Sequence, residues 1–493
     1  MTLPSLQPEA VGATAARRRK FAYGLTPRAI WLLLAGFLWL YPGYFYPQVS
    51  YGFLAWEALI LLIAAFDAAG LPKPERITAT RRWSNAPALD GTTEVELGIT
   101  QSGNRILDCR MMDDLPLELV AIPKTLRVLA FPHVPAKVRY AFTPNERGDW
   151  HVGNLFLRYR STISLVDRWA QADLRQTVRV YPVLRGGEGQ RIYLARSRQI
   201  ELQLRQAQQR GQGREFESLR EYRPGDDLRD LCWTATARRG ELITRQYQAE
   251  RSQAVWIVLD CGRLMRSRVA MGVAQPEGLN ELEVAAAAAA TRKPATPYRA
   301  HDASTLHTKL DHAASAAVAL AQLALFSADR VGLLAYGEGI QQRILPARGA
   351  AHLRQIIESL AQLRAEPGEA DHLRATATLN RLQPRRGMVL WVTDLAETAM
   401  RPEVIDGAMQ LLKRHLLLFI TIAQPEVERI ANARPASVEQ FFRAAAAQEM
   451  ASRRERLLAQ LNEHGARTMD LNPDALTAAV LNQYLEIKER SLI

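Results

Sequence analysis

Apolar side chains crowd the stretch between Ala29 and Phe66 into two runs. Ile30 to Leu40 carries no charge, and Phe53 to Phe66 carries only Glu57 and is followed by Asp67. Thr26-Pro27 predicts a helix start, with Thr as the cap and Pro at the first helical position. Between the runs lies a Tyr/Pro/Gly-rich turn, Tyr41 to Tyr51. Each run, with its aromatic flank, approaches the about 20 residues that a helix needs to cross a bilayer. Trp39, Tyr41, Tyr44, Tyr46, Tyr51 and Trp56 cluster around the turn, as an interfacial aromatic belt does. The pattern predicts a two-helix transmembrane hairpin over residues 28–70. A mid-span charge costs about 2.5–3.5 kcal/mol and each Leu, Ile or Phe returns about 0.3–0.6, so the eight such residues between Phe53 and Phe66 offset Glu57. The paired runs, with no small-residue cleavage site soon after, argue against a cleaved signal peptide.

After Gly70 the period changes. From 71 to 184 short alternating runs, such as Glu94 to Ile99, Leu155 to Arg160 and Val178 to Pro182, are separated by turn signals at Asp90-Gly91, Ser102-Gly103-Asn104 and Arg147-Gly148-Asp149. About 100 residues of such strands predict an immunoglobulin-like β-sandwich with no visible chemistry. Residues 185–253 are arginine-rich, with acids mixed throughout. From 254 to 493 continuous apolar strands (Val255 to Asp260, Arg330 to Tyr336, Met388 to Asp394, Leu416 to Ile422 and a short Thr468 to Leu471) alternate with helical periods over Lys309 to Phe326, Gly349 to Leu363, Val438 to Asn462 and Pro473 to Lys488. That alternation predicts a mostly parallel, Rossmann-type α/β sheet covered on both faces, with its ligand crevice at the carboxyl ends of the strands, where Asp260 and Asp394 fall. The alanine- and proline-containing stretch 266–305 reads as a disordered surface insertion.

Charge refines this picture. Lys plus Arg exceed Asp plus Glu by 63 − 51 = 12. Arg17, Arg18, Arg19, Lys20 and Arg28 precede the first apolar run; Lys73, Arg76, Arg81 and Arg82 follow the second; the turn has no basic residue. The positive-inside rule then keeps both the basic N-terminus (1–27) and everything after the hairpin in the cytoplasm. Three scattered cysteines, Cys109, Cys232 and Cys261, fit a reducing compartment and exclude a disulfide framework. No Walker A, dinucleotide-binding, zinc-protease or nucleophile-elbow motif occurs. His301, Asp302, His307, Asp311 and His312 form a histidine-rich patch that reads as solvated side chains rather than a metal site. The arginines from 220 to 245 are nearly cancelled by Glu221, Asp226, Asp227 and Asp230, so no nucleic acid is expected.

One segment is specific. Glu221-Tyr222-Arg223-Pro224-Gly225-Asp226-Asp227, with Trp233 and Ala237-Arg238-Arg239-Gly240-Glu241-Leu242, resembles the signature of bacterial proteins carrying the domain of unknown function 58. The strand to Asp260, Leu310-Asp311-His312-Ala313, Asp329 to Tyr336 and Leu481 to Lys488 extend the resemblance, while 266–305 departs from it. The resemblance implies a von Willebrand factor A-like domain, anchored in the bacterial inner membrane and working beside a MoxR-type AAA+ ATPase. It also implies a partner class more than a reaction, and no enzyme activity is expected.

A von Willebrand A domain that holds Mg²⁺ uses a D-x-S-x-S sequence, a Thr and a later Asp. The corresponding positions here are Asp260, Gly262, Leu264, Ala370 and Asp394, so both hydroxyls and the Thr are missing. Mg²⁺ demands near-octahedral oxygen coordination, and two carboxylates leave too few ligands. The expectation is a membrane-anchored adaptor without a cofactor, offering Tyr222, Arg223, Asp226, Asp227, Arg238 and Arg239 to the ATPase and a client, or using them to tie its own domains together. The alternative is a metal-dependent enzyme or ligand-binding protein working in the Asp260/Asp394 crevice.

Overall fold

The computed structural model describes residues 11–46, 48, 50–117, 119, 125–183, 215–223, 231–248, 253–270, 306–395 and 403–490. The chain divides after Val183 into two compact units.

The first unit begins with β1 (Val11–Leu25), followed by α1 (Pro27–Gly36), a 3₁₀ turn (Phe37–Trp39), α2 (Leu40–Phe45) and α3 (Ser50–Ala69). The strands β2 (Ile77–Trp83), β3 (Thr93–Gln101), β4 (Leu107–Asp113), β5 (Thr125–Ala130), β6 (Ala136–Phe142), β7 (Gly148–Val152), β8 (Leu155–Arg160), β9 (Val166–Ala172) and β10 (Gln176–Val180) come after it. Eight of them form one antiparallel ladder in the order β5-β4-β8-β9-β1-β2-β3-β6, and β7 pairs β10. β1 is the fold line. Its first residues pair with β2 and the remainder with β9. Alternate residues from the two halves, Ala79, Val95, Leu97 and Ile99 from one and Cys109, Met111, Leu157 and Tyr159 from the other, meet in a single core. Short antiparallel strands thus fill the period-two stretch, and β1 joins β2-β3-β6 to β9-β8-β4-β5 through its two successive partners.

Much of the basic N-terminus, residues 1–27, is a strand, an element its sequence did not lead us to expect. Arg17 to Lys20 lie within β1, with Ala16 in the core, Arg17 outward, and a register shift between Arg18 and Tyr23 that absorbs the charged run. A strand ladder is held by backbone groups, so it tolerates basic side chains that a buried helix would not. Arg81, counted above among the membrane-flanking charges, is inside the sheet's core. It is fully buried, forks onto Asp113, and donates to the carbonyls of Leu174 (2.7 Å) and Gly153 (3.1 Å), while the Tyr140 hydroxyl donates to Asp113 at 2.6 Å.

Thr26 caps α1 by accepting from the Ala29 amide, as its sequence position predicts. The first apolar run is split at the 3₁₀ turn. Among the described residues one helix, Tyr51–Ala69, is long and apolar enough to cross a membrane by length and composition. α1 and α3 pack closely: Trp56 Nε1 donates to the Leu32 carbonyl at 2.8 Å, and the Phe37 and Phe53 rings lie 5.3 Å apart. Glu57 faces inward against Gly36, where any β-carbon would run into its carboxylate and lie 2.8 Å from Trp56. The outer faces of the hairpin are apolar and exposed, with Trp31, Leu38, Tyr41, Tyr44, Leu62 and Phe66 all more than half exposed. Its base is tied to the sheet. Buried Asp67 accepts from the Ser161 hydroxyl and from the amides of Leu165 (3.0 Å) and Val166 (3.2 Å), and Thr26 donates to the Ser164 carbonyl at 2.6 Å.

The second unit starts with a hairpin of β11 (Glu215–Glu221) and β12 (Ile243–Gln248) carrying the short helix α4 (Trp233–Arg239). The sheet strands are β13 (Ala254–Asp260), β16 (Arg330–Tyr336), β17 (Ile340–Ala347), β18 (Met388–Thr393), β19 (Leu416–Ile422) and β20 (Arg467–Leu471). The small pair β14 (Arg268–Ala270) and β15 (Leu306–Thr308) brackets residues 271–305. Helices α5 (Lys309–Phe326), α6 (Ala350–Gln362), α7 (His372–Leu382), α8 (Glu403–Leu412), α9 (Pro425–Asn432), α10 (Val438–Glu463) and α11 (Pro473–Glu489) complete the unit. The sheet order is β17-β16-β13-β18-β19-β20, parallel throughout except for β17 at one edge. β13 and β18 are buried at every residue, which is why they read as unbroken apolar runs.

Of the stretch 266–305, expected to be a disordered insertion, residues 266–270 are described. Residues 268–270 pair with 306–308, and residues 271–305 lie outside the described residues. The histidine patch is also not a solvated cluster. His307 is buried, and Asp311 closes a capping box with Thr308 at the start of α5; His301 and Asp302 lie outside the described residues. No group of three or more His, Cys, Asp or Glu side chains arranged to hold a metal ion occurs among the described residues.

Candidate functional site

The order in which the chain adds strands reverses between the parallel β13 and β18, the first and fourth strands of the six. In open parallel sheets such a switch point, at the carboxyl ends of the strands, is where ligands bind. Asp260 ends β13 and Asp394 follows β18 directly, so both carboxylates flank the switch point. Gly262 comes in beside them, close enough to Ala370 that a β-carbon on it would lie 2.9 Å from the Ala370 β-carbon. Backbone bonds lace these loops together: Arg263 N to Gly368 O at 2.8 Å, Glu366 N to Cys261 O at 2.7 Å, and Asp371 N to Gly337 O at 2.8 Å. Leu264 sits on the adjoining 3₁₀ turn, Arg263–Arg266. Asp260, Gly262, Ala370 and Asp394, positions singled out by the resemblance to a von Willebrand A metal site, lie on these loops, with Leu264 on the turn beside them.

Their chemistry is already committed. Asp260 is 3% exposed; its Oδ1 accepts from the Gly262 amide at 2.7 Å and its Oδ2 from the Thr393 hydroxyl at 2.6 Å. Asp394 is fully buried and is paired with the Lys309 ammonium, while its Oδ1 accepts from the Leu395 amide (2.8 Å) and from Arg454 (2.7 Å). Lys309 also donates to the Ile422 carbonyl at the end of β19, at 3.1 Å. Arg454 forks onto Asp470 through two 2.7 Å bonds, and Thr421 donates to Asp470 at 2.8 Å. The network runs Lys309–Asp394–Arg454–Asp470–Thr421 across the carboxyl ends of three strands. Burial acts to raise Asp394, but Lys309 and Arg454 outweigh it and hold the carboxyl below its ordinary range.

A divalent cation does not fit this set. Gly262, Leu264 and Ala370 offer no side-chain oxygen, both Asp260 oxygens accept protein hydrogen bonds, and Asp394 faces an ammonium and a guanidinium. Mg²⁺ needs about six oxygens at 2.0–2.1 Å and would have to displace two fixed positive charges. The Thr393–Asp260 bond has the length of a nucleophile–base pair, yet among the described residues Thr393 is fully buried and Asp260 nearly so. The cavity that opens beside the network, about 480 Å³ in volume, is lined instead by Arg454, Asp470, Gln448, Met450, Val427 and Glu428. Lys309, Arg454 and Asp470 were not singled out in the sequence. Lys309 read there as an unremarkable helix start, and nothing along the chain signals that an ammonium 85 residues away meets Asp394.

Burial lifts Asp260 to about 6, with the bonds from Thr393 and Gly262 opposing and Asp394 adding to the rise. Its ordinary value is near 4. The folded state therefore holds this proton more tightly than the unfolded chain. Its contribution is complete below about pH 4 and is lost as pH rises through 6. His372 slopes the other way, since burial depresses it to about 4 and stability falls as pH drops from 6.5 toward that value. Asp260→Asn is expected to raise the unfolding free energy at pH 7 by up to about 3 kcal/mol. It should also unmask the His372 slope, so that the variant loses stability between pH 6.5 and 4 where the native protein changes less. Urea titrations of the full chain across that range check both points; parallel profiles would refute the assignment.

The signature segment folds as a small hairpin. Tyr222 N donates to the Leu242 carbonyl at 2.8 Å, Cys232 N to the Ile243 carbonyl at 2.8 Å, and Gly240 terminates α4 in the left-handed region at φ +75°. Arg223, Arg238 and Arg239 are exposed, Tyr222 is half-buried, and Trp233 (67%) and Leu242 (46%) stand in solvent beside them. Asp226 and Asp227 lie outside the described residues.

Residues 218–292 and 295–441 match the sequence profile of a family described as "Protein of unknown function DUF58", as the signature implied. Uncharacterized proteins from Mycobacterium tuberculosis and Mycobacterium bovis are 26% identical over 219 residues, 44% of this chain and 56% of theirs. The chain thus spans little more than half the length of these curated relatives. The solved structure of conserved hypothetical protein BatB from Bacteroides thetaiotaomicron aligns at 14% identity with a TM-score of 0.26, over 48% of this chain and 99% of that one, a score too low to carry a shared fold.

Proposed function

We propose, for a chain whose residues 218–292 and 295–441 carry DUF58 sequence, the role of a membrane-anchored interaction protein. The apolar hairpin α1–α3 holds it in the inner membrane, and the soluble units face the cytoplasm. The α/β unit is of the von Willebrand A type, and it is presented to a MoxR-type AAA+ ATPase and to a client protein. The observation that carries the adaptor reading is the signature hairpin. Trp233 and Leu242 expose apolar surface beside the exposed cations Arg223, Arg238 and Arg239, the mixture found at interface hot spots. The hairpin's outward-facing Trp, Tyr, Leu and Phe side chains support the membrane anchor, because an apolar surface of that extent is costly in water. The ATPase as partner rests on the family resemblance. The enzyme alternative is disfavoured by the closed Asp260–Thr393 pair and the cation-filled Asp394 site.

Capture of the tagged full-length protein from gently solubilised native membranes, with and without a non-hydrolysable ATP analogue, tests the reading. A AAA+ ATPase is expected to be recovered in a nucleotide-dependent way and to be lost with Arg223→Glu and Trp233→Ala, each variant being checked for native circular dichroism. Native expression with a folded protein and no ATPase in the eluate would sink the reading.

A further inference from the structure

A second charged surface shares no lining residue with the signature hairpin or the switch-point network. β17 ends the sheet, and α7 runs close by. Between them opens a cavity of about 550 Å³ lined by Ile340, Gln341, Arg343, Arg374, Thr378 and Arg381, together with Ala377. Arg343, Arg374 and Arg381 are all exposed, and among the described residues none of the three has a carboxylate partner. The lining contains no acid. Glu366, which reaches Gln341 at 2.8 Å, is engaged by that side chain and by the Glu338 amide at 2.6 Å rather than by an arginine. Three cations sharing one concave surface with no internal counter-charge repel one another, and an anionic ligand relieves that repulsion.

The spacing says what kind of anion. Arg374 and Arg381 are seven residues apart on α7, which places them on one helix face and about 10 Å apart along it. Arg343 stands on the opposite wall, on β17. Charge spread over that length matches an extended chain, in which residues three apart are also separated by about 10 Å. A compact phosphoryl group presents its charge at one point. β17 adds one feature that suits a peptide: as the edge strand it has one backbone edge unpaired among the described residues, and Ile340 offers an apolar contact in the cavity wall. We infer that the β17–α7 groove binds an extended acidic segment of a partner protein, with carboxylates set against Arg343, Arg374 and Arg381. The inference rests on the interaction-protein reading and gives it the chemistry of one contact surface.

Fluorescence anisotropy with the full chain in detergent micelles tests it. The probe is a fluorescein-labelled nonapeptide with glutamate at every third position, compared with the same peptide carrying lysine. The acidic peptide is expected to bind, more weakly as salt rises. Binding should fall at least about tenfold in Arg343→Glu/Arg374→Glu/Arg381→Glu and less in the corresponding glutamine variant, which removes charge without adding repulsion. Undiminished binding by the folded triple variant, equal binding of the lysine peptide, or complete displacement by inorganic pyrophosphate at matched charge would overturn the inference. Membrane capture separates it from the broader reading. An ATPase and client recovered equally with the triple variant would remove the groove and leave the adaptor standing. Peptide binding to the groove with no ATPase captured would do the reverse.

Discussion

Lys309→Met is expected to destabilise the α/β unit by about 3–5 kcal/mol, the usual cost of removing one partner from a buried ion pair. The ammonium is fully buried, pairs with Asp394 and donates to the Ile422 carbonyl. Methionine fills most of its volume, so the loss is electrostatic rather than a cavity. Asp394 would then lack its ammonium, and Arg454, the guanidinium that still faces it, is already shared with Asp470. Hydrogen exchange reads the effect locally: amide protection in β13, β18 and β19 should drop together, while the strands of the first unit keep theirs. Adding Asp394→Asn to Lys309→Met should restore part of the protection, because the uncompensated charge is then gone. If Lys309→Met leaves protection unchanged, the ammonium is not what neutralises the switch point. The same measurement bears on metal binding. If Mg²⁺ or Mn²⁺ raised protection in the native protein and Asp394→Asn abolished the rise, the oxygen-count argument against a divalent site would fall.

Arg81→Met is expected to have a comparable effect in the first unit, again about 3–5 kcal/mol. Arg81 has no exposed surface and serves three partners at once, the Asp113 carboxylate and the carbonyls of Leu174 and Gly153. Removing it strands a buried carboxylate with the Tyr140 hydroxyl as its remaining side-chain donor, and it leaves both carbonyls short of a donor. Replacing the charges together, as Arg81→Met/Asp113→Leu, should recover much of the loss, since well-packed apolar residues often match a buried pair in stability. Urea unfolding of the full chain, followed by exchange of the β2 and β4 amides, distinguishes the two cases. A double variant as unstable as Arg81→Met alone would mean that the carbonyl bonds, not the ion pair, dominate.

Arg81 and Lys309 also mark where reading the chain as a line stops working. Both are basic residues in polar surroundings, and in sequence each reads as a solvated charge. Arg81 was counted toward membrane orientation and Lys309 passed as a helix start. Their burial depends on acids 32 and 85 residues away, and only the folded strands bring those acids within reach. β1 went unseen for a related reason. Its basic run lacks the apolar alternation that marks a half-buried strand, and what holds it is backbone pairing to two separated partners, β2 and β9. The edge strand β17 was missed because a strand at the rim of a sheet has few buried positions and so leaves little period to see.

By itself the sequence determined what depends on local period and composition. It placed the apolar hairpin and its Thr26 cap, the change to period two after Gly70, the buried parallel strands ending at Asp260 and Asp394, the helices from Lys309, Val438 and Pro473, and the missing oxygens at Gly262, Leu264 and Ala370. Each of these follows from the side chain's own chemistry or from its near neighbours. Only the tertiary structure decided which charges face which. It bent one ladder over β1, turned Glu57 inward against Gly36, filled the Asp394 site with Lys309 and Arg454, and set three arginines from two elements around one groove. Electrostatic pairing acts across space without regard to separation along the chain, so its outcome is written in the fold and not in any stretch of residues.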